Sequence, residues 1–165
     1  MTVSPVSPAA AGSASRELSR ARAALAEAVE TSDHLIRYSS AHVAALRVAA
    51  AVLAVRARPV RSGSRRRVQR NAWVLLAEVA PELTEWATFF AAGAAKRAAA
   101  EAGSTRAVTE READDLVRDA DRFLAVVEQS LGLVPHEATL PYLVQHPTQP
   151  TRPAPVVHLA ARRVG

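Results

Sequence analysis

The chain has 165 residues, enough for one domain with a sizeable core. Its composition is 49% hydrophobic but only 4% aromatic, with alanine supplying most of the apolar content, as in packed helices. There is no cysteine, which excludes a disulfide framework and a thiolate metal site and fits a cytoplasmic protein. The net charge of +5 is unevenly spread: residues 1–70 carry 12 arginines against 4 acids, and residues 71–133 carry 6 basic against 11 acidic residues.

The first twelve residues, MTVSPVSPAAAG, are small and Pro-rich and read as a disordered segment without the basic, apolar pattern of a signal peptide. A helix is expected from Ser13 or Ser15, with Leu18, Ala21, Leu25 and Ala28 or Val29 on one face. Thr31-Ser32-Asp33 is a run of N-cap formers that ends this helix and starts the next.

The second helix, Ser32 to Arg58, is the element around which the rest is expected to pack. Ile36, Val43, Leu46, Ala50 and Leu53 form one apolar stripe, and Ala41, Ala45, Val48, Val52 and Val55 form another on the far side. A helix that is apolar all round is normally buried all round. Its length approaches that of a short membrane span, but Arg47 lies within it and Arg56 and Arg58 close it. The expectation is a buried helix of a soluble protein with no membrane partner. The polar groups on it, Arg37, Tyr38, Ser39, Ser40, His42 and Arg47, need partners if buried and form the candidate site. Tyr38 and His42, four apart, share a face and can hydrogen-bond. Arg37 and His42 point about 140° apart on a straight helix. Pairing of Arg37 with Glu27, Glu30 or Asp33 is the structural alternative to a functional role.

Pro59 ends this helix. The segment 59–70, PVRSGSRRRVQR, holds five arginines, and Arg65, Arg66 and Arg67 are candidate contacts for phosphate, RNA or an acidic partner. Without an aromatic residue to stack a base, such binding would be non-specific. A third helix is expected over Val68–Val79, grouping Ala72, Leu75, Leu76 and Val79 with Trp73 beside them.

Pro81 opens a fourth helix, PELTEWATFFAAGAAKRAAAEAG, with Leu83, Trp86, Ala87, Phe90, Ala94 and Ala98 facing inward and Gly103 as C-cap. Trp73, Trp86 and Phe90 read as core packing. The Ala-Ala-Gly-Ala-Ala run at 91–95 allows close approach of another helix, within the monomer or across a dimer.

Thr109 and Glu112 match a capping box for a fifth helix, whose inner face is Ala113, Leu116, Val117, Ala120, Leu124, Val127 and Leu131. Asp114, Asp115, Asp119 and Asp121 are assigned to a solvated face among Arg111, Arg118 and Arg122, with no histidine beside them to complete a metal site. Residues 134–165 hold six prolines and read as a disordered tail. Its Pro147, Pro150 and Pro153 have the spacing of a polyproline docking peptide. His136, His146 and His158 in this segment are not at metal-ligand spacing.

The motif Arg37-Tyr-Ser-Ser-Ala-His42, within RYSSAHVAALRVAAAVLAVRARP and followed by ELTEWATFFAAGAAKRAAAEAG, resembles the HEPN domain superfamily, in particular a branch of short actinobacterial HEPN-like proteins. The resemblance spans about residues 14–133. It implies a compact helical bundle in which Arg37 and His42 take the places of the motif arginine and histidine. In active HEPN ribonucleases two such motifs meet in a dimer cleft. Metal-independent cleavage of RNA would then use a histidine to take the 2′-hydroxyl proton and an arginine to stabilise the charge growing on the phosphate. Other HEPN proteins act by binding nucleotides or partner proteins.

The expected architecture is all-α, an antiparallel bundle of about five helices over residues 13–133 between disordered ends. A homodimer is expected, because the central helix carries more apolar surface than its short neighbours can cover. Two functions follow. One is a HEPN-type RNA-cleaving or RNA- or nucleotide-binding protein, a toxin with a cognate antitoxin or a stress effector. In it Arg37 and His42 are catalytic, with Tyr38, Ser40, Arg47 and the Arg65–Arg67 run as substrate contacts, and no cofactor or metal is needed. The other is a non-catalytic helical module that docks a protein partner through the Arg-rich loop or the Pro-rich tail.

Overall fold

A computed structural model of the chain describes residues 6–57 and 71–137. Five helices follow in order: α1 Pro8–Glu30, α2 His34–Arg56, α3 Ala72–Val79, α4 Thr84–Glu101 and α5 Glu110–Ser130, with a 3-10 turn at Pro81–Leu83 before α4. There is no strand among the described residues. The all-α bundle expected from the sequence is the observed fold.

Local chemistry sets most boundaries. The Asp33 carboxylate accepts from the backbone N–H of Leu35 at 2.8 Å and of Ile36 at 3.4 Å, capping α2 and satisfying donors that the first helical turn leaves unpaired. The Thr109–Glu112 capping box forms in full at the start of α5. Gly103 has φ 80°, and the Ser104 N–H reaches back to the Ala99 carbonyl at 3.0 Å, a closure that favours glycine after a helix end. Three helix starts differ clearly from expectation. The first helix begins earlier, at Pro8, because the Ser7 hydroxyl accepts from the Ala10 N–H and proline suits the first turn. The third helix begins at Ala72 rather than Val68, because the Asn71 side chain accepts from the Trp73 N–H and caps it there. The fourth begins at Thr84, after the 3-10 turn.

The centre of the bundle is α2, which packs against α1, α3, α4 and α5 alike. By length and hydropathy α2 could cross a membrane, yet 56% of that apolar window is buried inside the bundle. It is a core helix. Its two apolar sides are not equivalent. Tyr38, Ala41, Ala44, Ala45, Val48, Ala49, Ala51 and Val52 are buried. The stripe of Ile36, Val43, Leu46, Ala50 and Leu53 is covered less well, with Ile36 47% exposed and the other four half-buried.

An aromatic cluster closes the side of the core between α3, α4 and α5. Trp73 stacks on Phe90 with centroids 5.3 Å apart, and Trp86 stacks on Phe123 at 5.3 Å. Such pairs add to the area they bury. Ala98 proves exposed and Ala100 takes the buried place on the last turn of α4. Phe123, which the inner face assigned to α5 leaves out, is fully buried.

Candidate functional site

The polar groups of α2 do not converge on one neighbour. His42 points at α4. It is 1% exposed, and its Nε2–H donates to the Phe90 carbonyl at 2.9 Å. Trp73 and Phe90 meet the imidazole edge-on, at centroid distances of 5.9 and 6.2 Å. With Nε2 carrying the proton, Nδ1 is the basic nitrogen; it is buried with no hydrogen-bond partner. Burial in this aromatic surround pushes the His42 pKa below the usual range. The Phe90 carbonyl opposes that shift, and the nearby Arg97 cation reinforces it.

Arg37 points at α5 instead. One guanidinium nitrogen donates to Asp114 at 2.6 Å and another to the Thr31 carbonyl at 3.0 Å. The pair is largely shielded from solvent, and its partner is neither Glu27, Glu30 nor Asp33. Local pairing fails because α5 lies alongside this turn of α2 and brings a carboxylate to the guanidinium, while Thr31 presents its carbonyl at the helix junction. The divergence expected from helical spacing is thus built into the packing: His42 serves the α2–α4 contact and Arg37 the α2–α5 contact.

Tyr38 is buried on the same side as His42, but the two side chains do not bond each other as their spacing suggested; His42 turns to the Phe90 carbonyl. Both instead flank Gly93. A Cβ on Gly93 would sit 3.0 Å from the Tyr38 hydroxyl and 3.4 Å from His42 Cδ2. The glycine within the 91–95 run therefore serves a close helix approach inside the monomer, between α4 and α2. Burial pushes the Tyr38 pKa up, against the pull of nearby Lys96.

Ser40 is buried. Arg47 faces outward, with a nitrogen 3.3 Å from Glu17 of α1. It shares neither the His42 nor the Arg37 surroundings. Arg65, Arg66 and Arg67 lie outside the described residues, as do His146, His158 and the Pro147–Pro153 spacing.

The acidic face of α5 divides. Asp115 and Asp119 pair with Arg118 and Arg122 along α5, as a salt-bridged face should, whereas Asp114 turns to Arg37 of α2 in a pair largely shielded from solvent. Asp121 does not belong with them. Its side chain is buried and accepts from His136 at 2.8 Å, so a histidine does share its surface. His136 also bonds Glu128, which in turn pairs with Arg22. This cluster was hidden because its members come from three separate segments. One signal was present: Asp121 and Glu128 are seven residues apart, two turns along one face and next to the apolar stripe.

Among the described residues no group of three or more His, Asp or Glu side chains is disposed to hold a metal ion. Residues 28–128 match the SAV_6107-like HEPN family. No curated protein and no solved structure matches the chain. The match takes in Arg37 and His42, all of α2, α3 and α4, and nearly all of α5. The chain belongs to the SAV_6107-like HEPN family.

Proposed function

We propose that this protein is a non-catalytic HEPN-type interaction module in which Arg37 and His42 hold helices together. The observation that carries this reading is the sequestration of His42, whose proton-bearing nitrogen is engaged by the Phe90 carbonyl and whose basic nitrogen lies inside the core. A general base must come within hydrogen-bond reach of the proton it removes, and this one faces aromatic rings. Arg37 has its own partners on another face of α2, so the two groups do not converge on one phosphate.

The surface offered for interaction is the outer stripe of α2. Ile36, Val43 and Ala50 recur every seven residues, the spacing at which one helix seats against another. Ile36 stands nearly half exposed there. A second copy of the chain, meeting its own α2 about a two-fold axis, would cover this stripe in a cytoplasmic homodimer.

The test is incubation of RNA with the intact protein, Arg37→Ala and His42→Ala in the absence of metal, with product ends analysed for 2′,3′-cyclic phosphate. No cleavage by any of the three is expected. Cleavage by the intact protein that both folded variants lose would overturn this reading in favour of a ribonuclease.

A further inference from the structure

The buried cluster at the seam of α1 and α5 is unused by this reading and independent of it. Glu128 is 0% exposed and Asp121 8% at the side chain. Two carboxylates so far from water need positive partners. From α1, Arg22 bonds Glu128 Oε1. The second cation comes from beyond α5, where Gly132 turns the chain at φ 73° and Leu133–Glu137 runs back alongside the helix.

His136 is the anchor of that return. Its backbone N–H donates to Glu128 Oε2 at 2.7 Å, its Nδ1 lies 2.8 Å from the same oxygen and its Nε2 lies 2.8 Å from Asp121 Oδ1. Both ring nitrogens face carboxylate oxygens, and only the imidazolium carries a proton on each. Charge gives the same answer. Two carboxylates and one guanidinium leave one negative charge, which an imidazolium neutralises and a neutral ring does not.

We propose that Arg22, Asp121, Glu128 and His136 form a proton-operated clasp that ties Leu133–Glu137 to the α1–α5 seam. Protonated, His136 bridges both carboxylates. Neutral, it retains one N–H and sets a lone pair against the other carboxylate. The backbone bond to Glu128 then stands with one ring bond, and the strap loosens. The groups facing the imidazole are Asp121 and Glu128 of α5, with Arg22 of α1 acting through Glu128. Burial by itself would lower the His136 pKa; the bonds to Asp121 and Glu128 outweigh it and raise the pKa above the usual value. The clasp is therefore closed at and below ordinary histidine pKa values and opens as pH rises above them. What opening uncovers is a paired carboxylate seat at the root of the C-terminal segment.

The absence of cysteine makes the test direct. Glu137→Cys, at an exposed position beside the anchor, carries a nitroxide spin label on the full chain, and its electron paramagnetic resonance line shape is followed from about pH 6 to about pH 9, spanning the histidine range. The expected result is an immobilised label at the acid end and loss of most of that component at the alkaline end, with helicity unchanged. In the His136→Gln background, where the side chain cannot titrate, the step should vanish. Should that variant lose helicity, Asp121→Asn takes its place and should move the step to lower pH. A label equally mobile throughout, a label immobile throughout, or the same step with His136→Gln would each overturn the clasp.

Discussion

Replacing His42 by alanine separates a structural from a catalytic role by stability alone. The substitution deletes a side chain at 1% exposure, packed edge-on against Trp73 and Phe90, and removes its bond to the Phe90 carbonyl. The hydrogen bond contributes about 1 kcal/mol net. Truncating a large core side chain costs about 2–5 kcal/mol, the low end applying where neighbours can close in. Here the void is bounded by stacked rings that α3, α4 and α5 hold in place, so little collapse is expected. The sum is about 3–6 kcal/mol, or roughly 6–24 °C in Tm for a chain of this size. Urea unfolding of the full chain, read by far-UV circular dichroism, measures it directly. His42→Leu should lose distinctly less than His42→Ala, because it refills the space without supplying the bond. A substitution at an open, solvent-facing catalytic histidine would fall within about 0.5 kcal/mol. A loss below about 1 kcal/mol for His42→Ala would refute the packing argument and return His42 to the list of accessible bases.

The pH dependence of stability should show two histidine contributions of opposite sign. The pKa of His42 is lowered on folding, so its contribution is present above the unfolded value of about 6.5 and is lost as pH falls through the folded value. The pKa of His136 is raised, so its contribution is complete below about 6.5 and is lost as pH rises through the folded value. His136→Gln should abolish the alkaline decline in urea midpoint and leave the acid one; an unchanged profile would contradict the assignment. Thr109→Ala should cost about 1 kcal/mol through loss of the α5 cap, measured by the same unfolding curves. It should also raise the Glu112 pKa from its value of about 2, seen by carboxyl NMR titration, though only in part, because the Lys96 ion pair remains the larger cause. Gly93→Ala gains up to about 1 kcal/mol of helix propensity but drives a methyl to 3.0 Å from the Tyr38 hydroxyl. Its effect should be more favourable in a Tyr38→Phe background, by about 0.5–1 kcal/mol in a double-mutant cycle, and additivity of the two would argue against that contact. The proposed α2–α2 pairing predicts that light scattering gives a dimer mass for the parent and a folded-monomer mass for Ile36→Glu with Val43→Glu; equal masses would remove the α2 stripe as the self-association surface.

What could be read from the sequence was local. Asp33, Thr109 with Glu112, and Gly103 announce helix ends because each acts on backbone groups within a few residues, and the observed ends use the side chains of the first three and the positive-φ backbone of the glycine. The central place of α2 was legible for a related reason: a helix apolar on every side can be satisfied only by neighbours on every side. That same property withheld the next step. An all-round apolar helix has no preferred side, so its sequence does not say which face receives α1, which receives α4 and which is left half-covered at Ile36. The tertiary structure decided this, and with it the fate of the polar groups. His42 finds its acceptor 48 residues away, Arg37 its carboxylate 77 residues away and Arg22 its partner 106 residues away. Such pairings depend on how helices dock, and no spacing within one helix encodes them. The motif residues and their divergence were visible in the sequence; only packing determined which helices they face, and only the chain's return after Gly132 brought His136 to the buried carboxylates of α5.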